Sequence, residues 1–173
     1  AVISGQVLIR LDPADAQSAV DRAESDVADA LAEGRDAARS LELALAELAA
    51  TEDQAELRMR AYERQRDLAE RGVGTATLTE SAELAAAGAR QSVVSRRQAV
   101  AQAEARLDQT KTLLVRSKIA LGDANRYLSD TVLTAPFDGT LSATNVVVGR
   151  LVSANERLAE LIDPEDLEVS FRL

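Results

Sequence analysis

The sequence predicts a mixed α and β chain: a long antiparallel coiled-coil hairpin of two helices, inserted between the two halves of a small β domain. Three observations carry that expectation. Apolar residues recur in heptads through two Pro-free stretches between residues 13 and 131. A Gly-containing break, Arg71-Gly72-Val73-Gly74, separates the two stretches. Short strand-like runs flank the pair at both ends. The composition agrees. Of 173 residues, 46% are hydrophobic but only 2% aromatic, so the side chains that dominate large globular cores are scarce. About a fifth are Ala, mixed with Leu, Glu and Arg, the profile of long helices.

The same arithmetic excludes whole classes of function. With no Cys and no His there is no thiol nucleophile, disulfide framework, imidazole base or usual zinc site, and redox compartment is left open. A net charge of -9 and a pI near 4.6 argue against nucleic acid as the main partner. No stretch reaches the roughly 18 apolar residues of a membrane span, and Ala1 to Arg10 does not read as a signal peptide. The strand-like run Val7 to Leu11 has no partner before it, and Leu167 to Leu173 stops in mid-alternation. The chain therefore reads as an interior fragment of a longer protein.

Element by element, Asp12-Pro13-Ala14-Asp15 starts the first helix. Asp12 caps free amides, Pro13 suits the first helical position and Asp15 complements the dipole. No Pro follows before Glu70. A seam of Val27, Leu31, Ala38, Leu41, Leu45, Leu48, Ala55, Met59 and Tyr62 is expected, interrupted by Gly34 and Glu52. At 1.5 Å per residue such a helix is about 85 Å long, and a helix of that kind needs a partner. Gly72 suits the left-handed C-terminal position. Thr75 or Thr77 then caps the second helix, Thr77 with Glu80 matching a capping box. Its seam is Val93, Val100, Leu107, Leu114, Leu121 and Leu128, with Ala103, Thr110, Ser117 and Ala124 between them. The short connection forces antiparallel return.

Beyond Thr131 the period becomes strand-like. Val132 to Ala135 meets Pro136, and Phe137-Asp138-Gly139 makes a turn. Leu141, Val146 to Val148, Leu151-Val152 and Leu158 to Ile162 read as short β runs separated by Gly149 and Asn155. About 30 residues bury too little to stand alone. Leu8-Ile9-Arg10-Leu11-Asp12-Pro13 echoes Leu158-Ala159-Glu160-Leu161-Ile162-Asp163-Pro164, so the two flanks are expected to complete one domain.

Thr134-Ala135-Pro136-Phe137-Asp138-Gly139-Thr140-Leu141, followed by Gly149-Arg150-Leu151-Val152, resembles the second lipoyl half-motif of the membrane fusion proteins, the HlyD-like periplasmic adaptors of tripartite efflux and secretion systems. Gly5 to Pro13 resembles the tail of their first half-motif. The resemblance runs through the whole chain. It implies a truncated first lipoyl half at 1–12, a coiled-coil hairpin at 13–131 with its tip near 71–76, a second lipoyl half at 132–165 and the start of a β-barrel domain at 166–173. Family adaptors that engage an outer-membrane channel carry an Arg, a Leu four residues on and a Ser seven further. Arg64, Leu68 and Thr75 hold that spacing, with Thr in place of Ser.

The resemblance implies a non-enzymatic periplasmic adaptor. It would bridge an inner-membrane transporter, of RND type by preference over ABC or major-facilitator systems, to an outer-membrane channel. It further implies trimers or hexamers, no cofactor, and an inner-membrane anchor in a segment outside this chain. Without the resemblance, Arg64 and Leu68 read as a solvated charge and a last seam residue, and Thr75 as a cap. Gly72 and Gly74 read as backbone requirements. Among the tip charges, Arg58, Arg60, Arg66 and Arg71 stand against Glu56, Glu63, Asp67 and Glu70, the pattern of surface ion pairs. The carboxylates Glu52 and Asp138 have no partner base or metal cluster, which leaves catalysis without a site. A lipoyl or biotinyl carrier needs a Lys on a β-turn, yet the only lysines, Lys111 and Lys118, fall inside the second helix. A coiled-coil spacer without channel docking is the remaining rival.

Overall fold

The structure is a computed structural model that describes residues 1–144, 147–153 and 156–163. In chain order it contains β1 (Val7–Arg10), α1 (Ala14–Glu70), α2 (Ala76–Ser129), β2 (Val132–Thr134), β3 (Thr140–Thr144) and β4 (Ala159–Ile162). Two compact units result: Arg22–Leu121, and Ala1–Asp21 with Gly122–Leu173.

In the unit Arg22–Leu121 the two helices run antiparallel. Glu33 pairs with Arg106 at 3.8 Å, Glu47 with Arg96 at 2.7 Å and Glu52 with Arg97 at 2.8 Å, and nearer the turn the Gln65 carbonyl lies 3.5 Å from the Thr79 hydroxyl, so the partners of 33, of 47 and 52, and of 65 lie successively earlier on α2. A Cβ added at Gly34 would stand 3.9 Å from the Thr110 hydroxyl, which fixes the register near the middle. The ion pairs are about half exposed, and pairs of that kind contribute about 0–1 kcal/mol each. Packing along the seam therefore carries the hairpin.

The seam of α2 follows the heptads. Val100, Thr110 and Ser117 are buried, and Val93, Ala103, Leu107, Leu114 and Leu121 are half-buried. The seam of α1 follows the expected one at Val27, Leu41, Leu48, Ala55, Met59 and Tyr62, all half-buried, and departs from it at three positions. Leu31 and Leu45 are 43% and 47% exposed, and Ala38 is exposed too. The positions turned inward are Ala23, Val27, Ala30, Gly34, Ala37, Leu41, Ala44, Leu48, Thr51 and Ala55, spaced three and four apart. Small residues on both helices suit close approach of the two backbones: Gly34 stands against Thr110, and the buried residues of α2 include Ala86, Thr110 and Ser117. Gly34 is a member of this seam rather than an interruption. Glu52 lies beside it, paired with Arg97.

In the other unit, β1 and β2 pair antiparallel, with Ile9 opposite Leu133 and Arg10 opposite Val132. The strands before and after the helical hairpin are thus hydrogen-bonded neighbours. The N-terminal residues continue this pairing onto the Pro136 turn. Val2 and Gly139 exchange amide bonds of 2.7 and 2.9 Å, Gly5 N–H donates to the Ala135 carbonyl at 2.8 Å, and Ala135 N–H donates to Gln6 at 2.9 Å. The Asp138 carboxylate accepts the Ser4 amide at 2.6 Å. β3 and β4 form a second antiparallel pair, Leu141 opposite Leu161. Among the described residues of this unit, Ala16, Val20, Thr131, Ala135 and Gly139 are buried. As expected, the Asp12 carboxylate accepts the Ala14 amide at 3.0 Å and caps α1.

Among the described residues, the expected β runs at 147–148 and 151–152 are not strands. Gly149 takes a φ of +84°, and Arg150 N–H closes onto the Val147 carbonyl at 3.1 Å, so the chain turns where the alternation predicted a pleat. Val146, Asn155 and the segment 164–173, including the proposed start of a barrel domain, lie outside the described residues.

Candidate functional site

The end of the helical hairpin is built by one turn. α1 stops at Glu70 because Arg71 is followed by Gly72, whose φ is +78° with open space around its Cα. Gly72 N–H donates to the Ala69 carbonyl and Val73 N–H to the Leu68 carbonyl, each at 3.0 Å, the pair of bonds that defines a Schellman termination. Gly74 N–H also donates to Leu68, at 3.0 Å. A Cβ on Gly74 would lie 2.8 Å from the Ala69 nitrogen, so the second glycine answers close approach rather than an unusual φ.

α2 begins one residue later. Thr75 is its cap: the hydroxyl accepts the Leu78 amide at 3.4 Å. The expected Thr77–Glu80 capping box does not form, because Thr77 already lies inside the first turn of the helix. Thr79, which periodicity did not single out, joins the two helices, its hydroxyl lying 3.5 Å from the Gln65 carbonyl and 3.3 Å from that of Thr75.

Arg64, Leu68 and Thr75 all reach this end and all are exposed. Arg64 and Leu68 are four apart on α1 and share a face. The turn brings Leu68 and Thr75 together through Gly74, whose amide bonds to the Leu68 carbonyl. Of the tip charges, Arg66 pairs with Glu70 at 3.5 Å, Arg71 with Asp67 at 2.9 Å, and Arg60 with Glu56. Arg58 and Arg64 have no ion pair among the described residues. Arg58 borders an open groove between the helices with Thr51, Gln54, Ala85, Ala89 and Ser92. Val73 and Leu78 are 78% and 54% exposed beside Leu68 at 40%, an apolar surface that the sequence reading passed over. Its signal was present: the residue after a left-handed Gly is frequently apolar, facing the residue whose carbonyl it bonds.

The other motif has a structural account. Ala135 is buried, Asp138 holds the Ser4 amide, and Gly139 is packed so closely that an added Cβ would meet the Ile162 carbonyl oxygen at 2.6 Å. Pro136 accepts a bond from the Ser4 hydroxyl at 3.4 Å, while Phe137 remains 39% exposed. Lys111 pairs with Asp108 at 2.9 Å on the outside of α2. Among the described residues no cluster of acidic side chains has a metal-holding arrangement, and no helix is long and apolar enough to cross a membrane.

No protein-family model matches the chain, and no curated protein matches it. Among solved structures it is similar to one described as the structure of the periplasmic adaptor protein EmrA, at 17% identity and a TM-score of 0.46. That likeness covers 95% of this chain, which spans 65% of the other protein's length.

Proposed function

We propose that the chain is the hairpin and lipoyl-like part of a periplasmic adaptor, linking an inner-membrane transporter of RND type to an outer-membrane channel, with the hairpin end as the docking surface for the channel. The observation that carries this reading is a placement. An antiparallel helical hairpin interrupts a β unit between the hydrogen-bonded strands β1 and β2, and Arg64, Leu68 and Thr75 are all exposed at its turn. The resemblance of Ala135-Pro136-Phe137-Asp138-Gly139 to the lipoyl half-motif supports the same assignment. In that role the β unit associates with its copies into trimers or hexamers, the helices supply reach, and the turn supplies recognition. Transport chemistry belongs to the transporter, so the chain works without catalytic residues or a cofactor.

The test is Arg64→Asp with Leu68→Ser in the full-length protein. Channel cross-linking and drug resistance in the host are expected to fall together while the protein remains folded. Survival of both would leave the coiled-coil spacer as the better description.

A further inference from the structure

The chain has one Met and no Cys, so it carries a single oxidisable sulfur. Met59 is half-buried in the α1 seam, between Ala55 and Tyr62, on the stretch that separates the Glu52–Arg97 ion pair from the turn. Solvent reaches the residue while its side chain faces α2. From α2 the Arg90 guanidinium Nη2 donates to the Met59 Sδ at 3.6 Å. The neighbouring cross-helix arginines find carboxylates: Arg96 meets Glu47, Arg97 meets Glu52 and Arg106 meets Glu33. Arg90 reaches across in the same way and finds a thioether, and it has no ion pair among the described residues. A thioether is a weak acceptor, so a strong donor is matched to a poor partner.

Oxidation would change the partner. A sulfoxide in a seam is ordinarily disruptive, because it sets a polar oxygen among apolar side chains. Here that oxygen has a cationic donor waiting for it. We propose that Met59 is a modification site, oxidised by hydroperoxides, and that Arg90 receives the sulfoxide oxygen, keeping this part of the hairpin closed in both oxidation states. In the step, a sulfur lone pair attacks the terminal peroxide oxygen, the S–O bond forms and the O–O bond breaks. Sulfur is oxidised by two electrons and the peroxide reduced by two. The proton of the attacked oxygen passes to the leaving oxygen, which departs as water or an alcohol. The product is neutral, and Arg90 exchanges a weak acceptor for a strong one; hydrogen bonds in which one partner is charged are the stronger class. Three rotatable bonds let the Met59 side chain turn the oxygen toward Nη2 without moving the helix. None of this depends on channel docking.

The experiment treats the full-length protein with dilute hydrogen peroxide, locates added oxygen by peptide mass mapping, and follows hydrogen exchange of the α1 amides around residue 59. Arg90→Leu removes the donor and keeps an apolar stem, Arg90→Lys keeps a donor, and Met59→Leu has no sulfur. In wild type the peptide containing Met59 gains one oxygen, and exchange there changes by less than about threefold. Before oxidation Arg90→Leu exchanges like wild type, since the bond to sulfur is weak. After oxidation its exchange rises about tenfold or more, the size expected for a lost hydrogen bond to a charged group. Arg90→Lys falls between the two. Met59→Leu gains no oxygen in that peptide and exchanges alike with and without peroxide.

The modification site is overturned if peroxide that oxidises N-acetylmethionine completely leaves Met59 unchanged. The part given to Arg90 is overturned if oxidised wild type opens as far as oxidised Arg90→Leu. It is also overturned if Arg90→Leu exchanges tenfold faster before any oxidation, because the guanidinium then holds the hairpin whatever the state of the sulfur. If Met59→Leu with Arg90→Leu opens on peroxide treatment as Arg90→Leu does, the effect arises at another residue and the proposal falls.

Discussion

Two turns, Arg71 to Thr75 and Pro136 to Gly139, show the same residue type used for opposite reasons. Gly72 sits at φ +78° with nothing within 4 Å of where a Cβ would be. It is glycine because of an angle. At Gly139 no positive φ is involved, but a Cβ would lie 2.6 Å from the Ile162 carbonyl oxygen. It is glycine because of space. The surroundings follow the same division. In the second turn the Asp138 carboxylate and the backbone of residues 135 and 139 are all bonded to the N-terminal segment, and Ala135 and Gly139 are buried. In the first turn the backbone is satisfied internally, and the side chains of Val73 and Leu78 remain in water. A turn that spends its groups on its own unit holds a fold together. A turn that closes its backbone and leaves its side chains free is available to something else.

This contrast orders the expected effects of substitution. Gly139→Ala strikes hardest, because the backbone of β4 must move to admit the methyl group. A loss of about 3 kcal/mol is expected, read as a shift in the denaturant midpoint with an unchanged slope. A loss below about 1 kcal/mol would mean that the β3–β4 pair yields easily, and that the distinction between the turns is one of degree. Gly72→Ala has room but not the angle, and is expected to cost about 1 kcal/mol. Hydrogen exchange at the Val73 and Gly74 amides should accelerate while the centre of the seam stays protected. Smallest of all is Arg71→Ala. Its pair with Asp67 has side chains 71% and 53% exposed, so less than about 0.5 kcal/mol is expected in a thermal melt.

The amount legible from sequence differed between the helices for a physical reason. In α2 the large residues fall every seven positions with small ones between, so hydrophobic periodicity picks out the buried face directly, from Val93 to Leu121. In α1 small residues (Ala23, Ala30, Gly34, Ala37, Ala44, Thr51 and Ala55) alternate with Val27, Leu41 and Leu48 at the inward positions, and exposed leucines stand beside Ala30 and Ala44. Weighting by size selects Leu31 and Leu45 over Ala30 and Ala44, and with Ala38 in place of Ala37 the stripe slips by one residue at these three positions while Val27, Leu41, Leu48, Ala55, Met59 and Tyr62 stay in it. The tip suffered a milder form of the same problem. Thr75 and Thr77 both have capping chemistry, and only the backbone decides which stands outside the helix.

By itself the sequence determined the elements whose causes are local: where α1 is capped by Asp12, where Gly72 ends it, and that a second helix must return beside the first. The motif around Pro136 also announced a turn. Only the tertiary structure decided which alanines of α1 are core, which tip residue is structural and which are free, and why Gly139 admits no side chain. The reason is common to all three. Alanine, threonine and glycine carry little apolar area, so burial gains little at each, and their roles are assigned by what packs against them, which lies on a distant part of the chain.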